Sequence, residues 1–187
     1  MPESRLPIDF HGISLAELER LLGERTLPPV DQWNPKRCGH SGMRIARDGT
    51  WYHDGAAIRR PAMVRIFSTV LRREPDGRHV LVTPVEKLEI EVEATAFRAL
   101  EMQSEGEGPG RRIAFRLDSG DAVILDKKHP LRIVPMNQGP SPRLVVRHGL
   151  EAEVCRAVYY ELVELALAEG STGIWSSGTF FPLGVPE

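Results

Sequence analysis

Apolar residues recur at helical spacing in three stretches of the chain and alternate with polar ones through most of the rest. Leu15, Leu18, Leu21 and Leu22 share one helical face, and Ser14, three residues ahead of Glu17, is a capping-box start. The pattern predicts an amphipathic helix from Ser14. Met63, Ile66, Phe67, Val70 and Leu71 predict a second, opened by Pro61 and running to about Arg73, where Pro75, Asp76 and Gly77 stop it. Val154, Val158, Leu162, Leu165 and Ala166 predict a third, from about Glu151 to Glu169, with Gly170 in the C-terminal capping position.

Between these lie strand patterns. "MRIARDGTWYHDGAAI" is broken by Asp48-Gly49 and Asp54-Gly55, whose glycines supply the positive φ of tight turns, and so predicts a small meander. "HVLVTP", "LEIEVE" and "FRALEMQ" follow; Leu88, Ile90 and Val92 alternate with Glu89, Glu91 and Glu93, giving one wet face and one buried face. "RIAFRLD", "DAVILD", "LRIVP" and "PRLVVRHGL" read as further strands. The run "GERTLPPVDQWNPKRCGH" has no period and reads as an ordered strap anchored by Val30 and Trp33. "SEGEGPG" cannot pack a core and reads as an exposed loop and internal boundary. The expected organisation is a helix and strap over 1–38, a first α+β half over 39–103, an exposed loop over 104–110, and a second half over 111–187 with a C-terminal helix and a packed tail.

The two halves look related. "IRRPAMVRIFSTVL" lies on "VCRAVYYELVELAL" without a gap, pairing Ile58 with Val154, Arg60 with Arg156, Met63 with Tyr159, Ile66 with Leu162 and Val70 with Ala166. Upstream, Arg47 and Gly49 answer Arg147 and Gly149, with one hairpin turn fewer in the second copy. The expected fold class is α+β, with two strand–turn–strand–helix halves sharing an interface. Arg60 and Arg156 would then stand near two helix N-termini, where free N–H groups and the helix dipole favour an anion.

Composition narrows the function. With 24 basic and 26 acidic residues and a formal net charge of -2, the chain has no general field for DNA or an anionic membrane, so neither is an expected partner. No apolar run approaches the roughly 20 residues of a membrane helix, and "MPESRLPIDF" lacks a secretory pattern, which points to the cytoplasm. Cys38 and Cys155 are too few for a disulfide framework, and Cys38 with His40 lacks a second ligand pair, so neither a metal nor a cofactor is expected. The six histidines are scattered, and neither a phosphate-binding loop nor a nucleophile elbow is present, which weakens the enzyme reading and names no catalytic residue.

What remains is a candidate anion site. Arg60, Arg65, Lys87 and Arg156 offer charge, Glu86 an internal partner, and Trp51 or Tyr159 a flat face for stacking. The competing reading of each is plain: surface charge for the first five, packing for the aromatics. Trp175, Phe180, Phe181 and Leu183 follow no period in the tail, and their size requires burial, on the same chain or across a homodimer.

"DGTW", "VRIFSTVLRRE" and "LVTPVEK", with "HPLRI" and "HGLEAEVCRAVYYELVELA", resemble the bacterial family known as domain of unknown function 1285, from about Trp33 to Ala168. The resemblance implies an α+β protein with repeated structural motifs and a C-terminal half superficially similar to a pleckstrin-homology-like barrel. It also implies a nucleotide-like ligand between the halves and a part in signal transduction or stress response. The motif positions are Asp48, Gly49, Trp51, Arg65, Phe67, Thr83, Pro84, Glu86 and Lys87, none of them a known catalytic residue. The alternatives are a protein-interaction domain without a small ligand, and an enzyme whose residues converge from distant sequence.

Overall fold

The computed structural model describes residue 8 and residues 10–184. Helix α1 (Leu15–Glu24) starts where the capping pattern places it: Ser14 Oγ accepts the Glu17 N–H at 3.2 Å, a cap worth about 1 kcal/mol. Leu15 and Leu18 are buried against Ala114, Ala122 and Ile124, far along the chain. The strap then crosses to the first sheet through a 3-10 turn at Val30–Gln32. Val30 is buried, and Arg72 holds the strap by donating to the carbonyls of Val30 at 2.6 Å and Trp33 at 2.9 Å.

The first sheet contains β1 (Arg37–Ile45), β2 (Trp51–His53), β3 (Ala56–Ala57), β4 (Leu71–Arg73), β5 (His79–Val82) and β6 (Glu86–Val92), in the order β3-β2-β1-β6-β5-β4. Neighbours are antiparallel except for the parallel central pair of β1 and β6. The Asp-Gly signals are both turns, with φ of 88° at Gly49 and of 47° and 83° at Asp54 and Gly55. Helix α2 (Pro61–Thr69) links β3 to β4. It stops short of Arg73, because Leu71–Arg73 pairs with β5 and Leu71 is fully buried there. Its inner face is also rotated from the expected one. Val64, Phe67 and Val70 pack on the core, while Met63 and Ile66 are 39% and 46% exposed.

The second sheet contains β7 (Phe97–Glu105), β8 (Arg112–Leu117), β9 (Ala122–Ile124), β10 (Leu131–Met136), β11 (Gly139–Arg147) and β12 (Leu150–Val154), in the order β10-β11-β12-β7-β8-β9. Here too the central pair, β12 and β7, is parallel. Read from β9, this is the path of the first sheet: two three-stranded meanders joined through a parallel pair. The protein is therefore α+β, built of two similar halves, and the second sheet curls into a half-barrel. Helix α3 (Arg156–Ala168) follows β12 and packs on the core through Val158, Leu162 and Ala166.

The pairing of the halves differs from the one the helices suggested. Both helices do follow a hairpin, but α2 stands between the third and fourth strands of its sheet and α3 after the sixth of its own. The repeat runs strand for strand, β1 with β7 through β6 with β12. Residues 151–154 are strand and not the first turn of α3, since Leu150, Ala152 and Val154 alternate into the core. The chain passes between sheets at residues 93–96, whereas the 104–110 segment holds the last two residues of β7 and the exposed turn that leads to β8. "FRALEMQ" accordingly belongs to the second half, where β7 is central.

The tail folds back on its own chain as a hairpin, β13 (Gly173–Ser176) and β14 (Thr179–Pro182), with positive φ at Ser177 and Gly178 making the tight turn. Ile174, Phe181 and Leu183 are buried, while Phe180 stays 37% exposed beside Trp175. Ser176, fully buried, accepts the Ile113 N–H at 3.0 Å and donates to the Leu125 carbonyl at 2.7 Å.

Candidate functional site

The seven sequence-predicted site residues part company in the structure. Trp51 is 4% exposed and stacks on Phe67 with ring centroids 6.3 Å apart, so it is core and offers no open face. Glu86 pairs with Arg37 at 3.6 Å. Lys87 Nζ lies 3.6 Å from Glu74, whose carboxylate also takes Arg72 at 2.6 Å. Burial alone would push the Glu74 carboxyl up, but Arg72 and Lys87 hold it below its ordinary value. Arg72, Glu74 and Lys87 thus form one buttress under the strap. Arg60, the residue before α2, and Arg65 on that helix carry no ion pair among the described residues and do not border the cleft that holds the other two.

Arg156 and Tyr159 do come together. They line a cleft of about 860 Å³ at the N-terminal end of α3, with Tyr160, the wall formed by 135–142, and Glu153. Arg47 reaches it from the β1–β2 turn of the other half. Neither a capping side chain nor an acidic residue meets the first turn of α3, whose N-cap is Cys155. The dipole and free N–H groups there face no competing carboxylate on their own helix. Arg156 is exposed and makes no ion pair among the described residues. Glu153 Oε1 accepts from Ser141 Oγ at 3.0 Å, and Ser141 Oγ accepts in turn from Arg143 Nε at 3.3 Å.

The opposite wall is stiff for a covalent reason. Pro135 pairs with Pro140 across β10 and β11, beside Met136 with Gly139 and Val134 with Ser141. Prolines fix φ and donate nothing to a ladder, so this tip stands as a preset edge. Tyr159 is fixed from the other side: its hydroxyl donates to the Leu183 carbonyl at 2.5 Å, and burial raises its pKa. The tail therefore sets the ring that borders the cleft.

The seam between the halves is charged and buried. Arg147 Nη2 donates to the Ser68 carbonyl at 3.1 Å, Nη1 lies 3.7 Å from Asp121, and the guanidinium stands over Phe97 at 5.1 Å. Burial lowers the Arg147 pKa against the pull of Asp121, which Arg25 also engages. Nearby, Asp118 accepts the Arg98 N–H at 3.1 Å, and Arg98 Nη1 donates to the Asp48 carbonyl at 2.9 Å. Burial pushes the Asp118 carboxyl up to about 6.

Of the residues that line the cleft, Arg47 and the proline wall lay outside the sequence-predicted candidates. Arg47 was visible only as the counterpart of Arg147 beside a turn, and nothing in the sequence set 135–142 apart as a wall. Which side chains face one another across the seam depends on how the sheets pack, and no local spacing encodes it.

Two family models cover most of the chain: the N-terminal domain of DUF1285, a domain of unknown function, over residues 28–95, and the C-terminal domain of DUF1285 over residues 96–183. A crystal structure of a DUF1285 family protein from Silicibacter pomeroyi DSS-3 is 42% identical, covers 90% of this chain and 92% of that one, and superposes with a TM-score of 0.77. A second, from Shewanella baltica OS155, is 19% identical over 66% of this chain and 91% of that one, with a TM-score of 0.51, and shares the fold. No similar sequence was found among curated proteins. Two contiguous family matches that meet where the chain crosses between its sheets, and a 42% identical relative of the same fold, make this chain a member of the DUF1285 family.

Proposed function

We propose that the cleft at the start of α3 binds a small anionic ligand of nucleotide size, and that the protein is a cytoplasmic ligand-responsive regulatory module rather than an enzyme. One observation carries this reading: Arg47 from the first half and Arg156 from the second line the same cleft, over an uncapped helix N-terminus. A phosphate or carboxylate there would meet two guanidinium groups and free N–H groups, and its flat portion would lie along Tyr159. A ligand held from both sides would couple the halves, which is what a sensor requires. Among the described residues the cleft is lined by neither histidine, cysteine nor lysine, and Glu153 is engaged by Ser141. That lining supports binding over proton transfer or nucleophilic attack.

Thermal-shift titration with mono- and dinucleotides, cyclic nucleotides and inorganic phosphate tests it, because a ligand bound only by the folded state raises Tm. At least one should raise Tm of the parent chain, and Arg47→Ala with Arg156→Ala should abolish that shift while leaving the unliganded Tm within a few degrees. A flat response to the whole series at millimolar concentration would remove the reading.

A further inference from the structure

Twelve of the nineteen arginines among the described residues meet a carboxylate, and of the seven that do not, three are gathered at one helix. Arg20, Arg25, Arg44, Arg78, Arg112, Arg116 and Arg132 each meet a carboxylate. Arg59, Arg60 and Arg65 do not, among the described residues, and no acidic residue occurs anywhere from Gly55 to Arg73. These three flank the outward side of α2, where Met63 and Ile66 stand exposed. The outer side of α3 is its complement. Tyr160, Glu164 and Leu167 form one stripe at helical spacing with Glu161 beside it. Tyr160 is 56% and Leu167 58% exposed, and both glutamates are exposed without a cationic partner among the described residues. Of the seven large apolar side chains left exposed among the described residues, four lie on these two helix faces.

We infer that the occupant of each face is the other one on a second copy of the chain: α2 of one protomer packs against α3 of its partner. Arg60 and Arg65 then meet Glu161 and Glu164, while Met63 and Ile66 cover Leu167 and Tyr160. A specific interface takes about 800 Å² from each partner, more than one short helix presents. The contact therefore forms twice about a two-fold axis, which also closes the assembly. Exposed arginine with methionine is the composition of a protein interface. A membrane surface would need a larger basic cluster and deeper apolar anchors than Met63 and Ile66 supply.

Sedimentation equilibrium of the full chain at tens of micromolar should give twice the 20.9 kDa chain mass, falling toward the single mass as salt is raised. Arg60→Glu with Arg65→Glu should halve the mass, and so should Glu161→Arg with Glu164→Arg. None of the four residues lines the cleft, and far-UV circular dichroism and Tm show whether each variant is folded. Mixing the two folded variants should restore the doubled mass, because the mixed pair regains both contacts that each variant alone has lost. A parent chain of single mass throughout, a doubled mass that survives either charge reversal, or a mixture that stays at single mass would overturn the proposal.

Discussion

Asp118 occupies the turn between β8 and β9, where a single extra carbon shows how tightly the halves meet: a Cβ on Gly49 would lie 2.7 Å from its Oδ2. A carboxyl whose folded-state pKa, about 6, exceeds its unfolded value binds more protons folded than unfolded. Its contribution thus favours folding at low pH and is lost as pH rises from about 4 through 6. Asp118→Asn keeps an oxygen to accept the Arg98 N–H but sheds the charge. It should be more stable than the parent at pH 8 by about 1–2 kcal/mol, a discounted share of the shift for a half-buried group. The gap should close toward pH 4, as read from urea melts at both values. A gap equal at both would show that ionisation of Asp118 has no part in it.

Among the elements, the tail hairpin makes the sharpest test, because its apolar residues anchor both the core and the Tyr159 ring. Phe181→Ala should cost about 3–4 kcal/mol in urea unfolding, and should weaken any ligand response through Tyr159 as well. A loss below about 1 kcal/mol would mean that the hairpin is only lightly docked. The tail also marks the limit of pattern reading. Its need for burial followed from the size of its side chains, yet its hairpin was hidden because "SSG" takes positive φ at a serine, which favours no strong expectation. Helix α1 was legible through Ser14 and Glu17, and both Asp-Gly turns through their glycines. The outward turn of Met63 and Ile66 was not, since nine residues fit two neighbouring helical faces almost equally well. Leu150–Val154 likewise satisfies both alternation and the helical period. Of the cleft, Arg156 and Tyr159 were legible because one helix carries both; Arg47 and the proline wall come from elements up to 109 residues distant, as Arg47 and Arg156 show.

Across the whole molecule, the match at 96–183 has the look of a separable unit, yet the residues that finish it come from before position 28. Helix α1 covers Ala114, Ala122 and Ile124, the Leu15 N–H donates to Glu105 at 2.9 Å, and Arg112 pairs with Glu19. A fragment of residues 96–184 should therefore associate or bind a hydrophobic dye, and a peptide of residues 8–36 added in trans should reverse both. A fragment that is monomeric, dye-free and cooperatively folded alone would contradict this.

The crossing of α1 has a consequence during synthesis. The helix leaves the ribosome early, but the surface it covers is not complete until Ile124 has emerged, and the bond from Leu15 to Glu105 closes a loop of 90 residues. Through most of translation its leucine face has no docking surface, and loop closure must precede the contacts that reward it. The nascent chain thus carries an open amphipathic helix ahead of the strands of its first half, and that interval is when a chaperone that grips apolar helices would find its target.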